Sequence, residues 1–120
     1  NPYLNYETYS ERVIPANAVR LFAGCDVVCE AFDRADQKAM LIETLLERLP
    51  DTPIVSGSGM AGYGSANAMR TERRFGRLYV CGDGMSDIAD GIGLMAPRVG
   101  VVACHEANMI TRLILGEEDA

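Results

Sequence analysis

Apolar and polar positions follow two different rhythms along this chain. Residues 26–32 (DVVCEAF) form a near-continuous apolar run, the pattern of a parallel strand covered on both faces. Glu30 is the exception inside it, and a charge there must lie near the strand's end or find a partner. Residues 34–49 then change to a helical period. Ala35, Ala39, Ile42, Leu46 and Leu49 recur on one stripe, which Leu41 and Leu45 widen. Pro50 ends this helix, since it lacks the amide hydrogen that another turn would need. TPIVS (52–56) reads as a second buried strand, so strand, helix and strand form a βαβ unit with the usual right-handed crossover.

The flanks extend this pattern. YLNYETY (3–9) predicts a strand of modest burial, and PANAVRLFA (15–23) a short helix opened by Pro15 and stopped by Gly24. SGSGMAGYGS (56–65) is a glycine-rich loop, and residues 77–81 read as another strand. Residues 83–97, with Gly84, Gly91 and Gly93, predict a long loop of the kind that carries function. Residues 99–115 close the chain as a helix, with Val99, Val102, Ala103, Met109, Ile110, Leu113 and Ile114 broadly on one side and Gly116 as its stop. The tail GEEDA is expected to be disordered. Together these elements define an α/β domain.

At 120 residues the chain suits one domain. Its net charge of −6 argues against nucleic acid or an anionic membrane as the main partner. No apolar run reaches the roughly 18 residues of a membrane span. Cys25, Cys29, Cys81 and Cys104 form no CxxC pair, which fits reduced thiols in a cytoplasm. Cys25 and Cys29, four apart, share a strand face and are expected in the core. Cys104 and His105 lie within the last helix and are given no role. The chain opens at Asn1, without methionine, on structured-looking sequence and reads as a fragment or a processed piece.

Two places suggest chemistry. Asp33 stands where the buried strand hands over to its helix, so it either caps that helix or faces a ligand outside the strand's carboxyl end. Gly57, Gly59 and Gly62 in GSGMAG satisfy GxGxxG, with Asp83 about twenty residues on, as a dinucleotide fold would have it. The residues after Gly62 (YGSANAMRTERR) carry no apolar helical stripe, although a pyrophosphate needs a helix N-terminus there. A NAD(P)-binding oxidoreductase domain using GSGMAG and Asp83 therefore stands as an alternative.

Four segments, in one order, resemble the ThiF/MoeB family, adenylating relatives of the ubiquitin-activating enzymes. NPYLNYE is similar to the family's NPxVxV strand, and CDVVCEAFDRADQKAMLIE to its D-x-V-V-D-x-x-D-N-x-x-x-R-x-x-L segment. TPIVSGSGMAGYGSANAM resembles the next strand, its small-residue turn and an antiparallel strand; LMAPRVGVVACHEANMITRLILGE resembles the closing helix. SGMAGYGS and CGDG look closest to a ThiF-like branch serving thiamine biosynthesis.

The resemblance implies the carboxyl-terminal part of a Rossmann-like, mostly parallel sheet with flanking helices and an antiparallel extension. It implies ATP- and Mg2+-dependent adenylation of the C-terminal glycine of a ubiquitin-like, ThiS-like sulfur carrier protein, by a cytoplasmic homodimer. Asp33 matches the family's magnesium-side carboxylate. The family's nucleotide half precedes the NPxVxV strand and is not among these residues. The piece alone is therefore expected to be inactive and to bind no ATP usefully, with residues 1–10 rearranged, paired elsewhere or poorly ordered. Met60 and Tyr63 are candidate contacts for the carrier's tail. Arg73 and Arg74, in the only basic cluster (with Arg70 and Arg77), are candidates for carrier docking or simply a solvated hairpin face. Cys81 is a possible thiol or a strand-end core residue, and with only this cysteine near the family's first CxxC position, zinc is not expected. A non-catalytic interaction domain on the same fold is the remaining alternative.

Overall fold

The computed structural model describes all residues from Asn1 to Ala120. Its centre is a four-stranded sheet in the order β1-β2-β4-β3, formed by β1 (Val28–Glu30), β2 (Ile54–Gly57), β3 (Arg70–Phe75) and β4 (Leu78–Gly82). β1, β2 and β4 are mutually parallel, and β3 returns antiparallel along β4. The expected α/β sheet with an antiparallel extension is therefore present. The antiparallel strand begins only after Met69, later than the family resemblance implied, because a short 3-10 turn (Ala66–Ala68) takes up the preceding residues.

Strand alternation sends Val28, Ile54 and Leu78 to one face, where they pack with Leu41 and Leu45 of α2 (Ala35–Arg48) and Ala18 of α1 (Pro15–Phe22). Val55, Tyr79 and Cys81 face the other way, against Val102 and Met109 of α3 (Ala96–Ile114). The buried line of α2 runs through Leu41, Thr44 and Leu45, while Ala35 and Ala39 stay exposed. The helix is thus rotated from the stripe its sequence suggests. Thr44 can face inward because its hydroxyl donates to the Met40 carbonyl at 2.7 Å. α3 starts three residues earlier than expected, with Pro97 in its first turn.

Three expectations fail for identifiable reasons. Residues 1–12 are exposed throughout and form no strand: they pair with neither edge strand of the sheet, β1 or β3, and Tyr3, Tyr6 and Tyr9 meet no core. Cys25 and Cys29 are exposed rather than core. Cys25 lies outside the three-residue β1, and α3, which would cover the Cys29 side, packs over β2, β4 and β3 instead. The tail is pinned: Tyr79 Oη donates to the Glu118 carbonyl at 2.7 Å, and Arg112 pairs with Asp119 at 2.9 Å. Leu45 is fully enclosed between α2 and the sheet. Leu45→Ala should lower the stability measured by urea unfolding by about 3 kcal/mol, the scale of a buried leucine truncation.

Candidate functional site

A cleft of about 400 Å³ opens outside the carboxyl ends of β1 and β2. Its walls are the turn into α2 with that helix's first residues (Phe32–Ala35 and Lys38), the glycine loop after β2, and the loop after β4. This is where open α/β sheets hold ligands, because the strand-to-helix turns leave backbone and side-chain groups unspent there.

Asp33 lies on this rim and is exposed. The helix cap expected of it is absent. Arg34 is the N-cap residue of α2, and its side chain makes no capping hydrogen bond. Arg34 turns instead to Asp36, with contacts of 3.0 and 2.8 Å that hold the Asp36 carboxyl below its usual range. Asp33 joins none of the chain's ion pairs.

Behind Asp33 the strand end is anchored by Glu30, whose side chain has no solvent exposure. Its Oε2 accepts from Lys38 Nζ and from Ser56 Oγ, each at 2.5 Å, and its Oε1 from the Phe32 amide at 2.6 Å. The charged exception of the apolar run is thus both at the strand's end and paired. Lys38 escaped the sequence reading, although a signal existed: it is the one lysine among eleven basic residues, eight positions after Glu30.

Arg98 holds the opposite wall. This buried residue of α3 donates to the Ala61 carbonyl at 3.1 Å and pairs with Asp83 at 2.6 Å. Asp83 Oδ1 meanwhile accepts from the Met85 and Ser86 amides, both at 2.9 Å, and from the Ser86 hydroxyl at 3.1 Å. Burial opposes ionisation of Asp83, but these hydrogen bonds and Arg98 outweigh it and hold the carboxyl far below the usual range. The two glycine loops fit together closely. A Cβ on Gly59 would stand 2.2 Å from Asp83 Oδ1, and one on Gly82 1.8 Å from the Ser58 carbonyl oxygen. Only glycine allows that approach.

This packing removes the dinucleotide alternative. No α-helix follows Gly62, so no helix N-terminus meets a pyrophosphate, and Asp83 is committed to Arg98 and its own loop. The glycines there serve loop packing.

The remaining candidates separate. Met60 is half-buried and lines the cleft, packed over Gly57 beside Val102 and Glu106. Tyr63 is exposed and lies outside the cleft lining. Arg73 and Arg74 sit exposed on β3, as the hairpin-face reading anticipated, with acidic partners of their own. Arg74 meets Glu72 at 3.0 Å, and Arg73 meets Glu118 at 3.8 Å and lies 5.6 Å from the Tyr79 ring centre. Cys81 is fully buried; burial pushes its thiol up despite a contact with Thr71, whose hydroxyl also reaches His105 Nδ1 at 3.0 Å. Both burial and that shift work against thiolate chemistry. Glu106, half-buried with Oε1 unpartnered, has its carboxyl raised by burial, an effect Lys38 opposes and Glu30 reinforces.

A mostly parallel sheet with its cleft at the strands' carboxyl ends, and an uncommitted carboxylate on the rim, defines an α/β domain of the Rossmann-like class. The chain matches the ThiF family over residues 1–120 and belongs to it. It is similar to the adenylyltransferase and sulfurtransferase UBA4 of Lodderomyces elongisporus, 26% identical over 123 residues that take in 97% of this chain and 26% of that protein. The chain thus spans about a quarter of that relative's length. No solved structure matches it closely, and none of its helices is long and apolar enough to cross a membrane.

The Arg98–Asp83 pair carries a pH signature. A carboxyl depressed in the fold contributes stability that is complete above its unfolded pKa, near 3.9, and is lost as pH falls toward the folded value. Asp83→Asn leaves Arg98 buried without its counter-charge and should cost about 3 kcal/mol at pH 7. In urea unfolding from pH 7 to pH 2, the gap between wild type and variant should narrow only below about pH 4.

Proposed function

We propose that this chain is the carboxyl-terminal part of an ATP-dependent adenylyltransferase that activates the C-terminal glycine of a ubiquitin-like sulfur carrier. It falls, on this reading, in the branch that serves thiamine biosynthesis with a ThiS-like carrier, which SGMAGYGS and CGDG resemble. On this reading residues 1–120 supply one side of the site, and chain outside these residues supplies the nucleotide half. The enzyme acts as a cytoplasmic homodimer, and the four unpaired cysteines support a reducing compartment.

The observation that carries the reading is Asp33, an exposed carboxylate without a partner at the rim of the cleft. Magnesium is commonly held through one or two carboxylates, with substrate phosphates and water completing its shell. Asp33 fits that habit, and Asp87 lines the same cleft. No three His, Cys, Asp or Glu residues gather into a metal cage. Bound at the cleft rim, magnesium would supply charge neutralisation on the phosphates of ATP.

In the proposed reaction a glycine carboxylate oxygen attacks the α-phosphorus, a phosphoanhydride bond breaks and pyrophosphate leaves. The protein's part is alignment and electrostatics rather than covalent chemistry. Asp33 would hold the metal-side charge, and Met60 offers an apolar contact for the small residues of the carrier's tail, with Tyr63 as an outer contact. Arg73 and Arg74 would steer an acidic carrier toward the cleft. Cys81, enclosed in the core, forms no covalent intermediate on this reading.

Pyrophosphate exchange by the complete protein, dependent on a carrier ending in Gly-Gly, tests the proposal. Asp33→Ala should reduce the exchange rate by about 100-fold. Its melting temperature should be unchanged, since this carboxylate holds no other group in place. Exchange that persists in the variant removes Asp33 from the mechanism, and no exchange with any carrier leaves a non-catalytic interaction domain. Reversing charge at Arg73 and Arg74 should lower the carrier's association rate and flatten its salt dependence in stopped-flow measurements. An unchanged rate excludes the steering role.

A further inference from the structure

Lys38 is conspicuous by chemistry and by place. The chain carries eleven basic residues, and Lys38 alone is a lysine. Lys38 lines the cleft, with its side chain 22% exposed, while its partner Glu30 is wholly buried. The ammonium has three hydrogens to donate, and one is given to Glu30 Oε2. Its other two hydrogens have no protein acceptor.

Glu30 in turn cannot follow a moving lysine. Ser56 Oγ on β2 and the Phe32 amide in the turn hold both of its oxygens. The ammonium is therefore tethered by a carboxylate fixed at two other points, which lowers the ordering cost of any further contact it makes. Arg34, the other cation on this rim, is turned outward to Asp36.

We infer that Lys38 donates to an anionic oxygen of the ligand in this cleft and that Glu30 is the positioning residue that holds it there. This rests on the adenylation reading above, which brings two such oxygens to the site: a phosphate oxygen of the nucleotide and the terminal carboxylate of the carrier. Asp33 and Lys38 then divide the work. The first holds the cation side of the nucleotide and the second meets an oxyanion directly.

The complete protein is treated with an acetylating N-hydroxysuccinimide ester, and modification of Lys38 is followed by mass spectrometry. It is run without ligand, with Mg-ATP, with a synthetic peptide ending in Gly-Gly and a free carboxylate, and with the same peptide amidated. Mg-ATP or the free-carboxylate peptide should slow acetylation several-fold, and the one that does identifies the oxygen; the amidated peptide should not. The double variant Glu30→Gln/Lys38→Met replaces the buried pair with neutral groups of similar size. It should keep its melting temperature within a few degrees while KM for the protecting ligand rises about ten-fold, the scale of one lost charge-assisted hydrogen bond. Lys38→Arg should recover part of that loss. If the wild type exchanges pyrophosphate while Lys38 labels at one rate under every condition, the inference is overturned. The same holds if a folded double variant keeps its KM; if that variant does not fold, the wild-type labelling decides alone. Protection by Mg-ATP without any exchange upholds the oxyanion contact and removes the adenylation reading, and neither protection nor exchange removes both.

Discussion

A carboxylate with no access to water is the constraint around which this cleft is built. Glu30 ends a strand only three residues long, and an unpaired charge there would cost more than so short an element contributes. What satisfies it comes from three directions: the α2 lysine, the β2 serine and the backbone of the turn. Those same contacts fix β1 against β2, seat the first turns of α2 and shape the turn that presents Asp33. The apolar packing of Leu41 and Leu45 on Ile54 and Leu78 supplies most of the stability, but it is non-directional. The hydrogen-bonded charge gives the strand ends their register relative to the helix.

The facing wall repeats the device with the charges exchanged. There the buried member is a cation, Arg98, which reaches across to a carbonyl of one glycine loop and a carboxylate of the other. Two loops rich in glycine have little side-chain surface with which to hold each other. Their closeness at Gly59 and Gly82 makes the arginine's reach possible, and the arginine in turn keeps them close. Both walls of the cleft therefore rest on an ion pair with one buried partner, and a change at either pair should be felt in the cleft before it is felt in the core.

The sequence makes the architecture legible wherever a strong period meets a clear stop. The 26–32 run, the α2 helix ended before Pro50 and the strand after it all stand close to where the pattern puts them, and Glu30 behaves as a charge in an apolar run must. Cys25 and Cys29 were misjudged because alternation says which face a residue takes but not whether a helix covers that face. Thr44 lies on the buried line, which its hydroxyl, satisfied within its own helix, permits, while the alanines lie off it. Lys38 and Arg98 were illegible for a different reason. A lysine on a helix and an arginine after a proline look solvated in one dimension, and only the fold shows that each faces a carboxylate contributed by another element. GSGMAG misled in the opposite direction, since glycine demanded by close loop packing spells the same letters as glycine demanded by a phosphate.

The cleft's charges nearly cancel, and the remainder is informative. Lys38 neutralises Glu30, Arg34 neutralises Asp36 and Arg98 neutralises Asp83. Asp33 and Asp87 are left without a cation, although Asp87 caps its own short turn through the Ala89 amide. A bare polyphosphate approaching this rim would meet net negative charge and be repelled. A polyphosphate that carries a divalent cation presents the sign that the rim lacks. On the adenylation reading proposed above, that imbalance would favour the metal-bound form of a nucleotide over the free one, and the two unspent hydrogens of Lys38 would give the anionic part of such a ligand a place to turn.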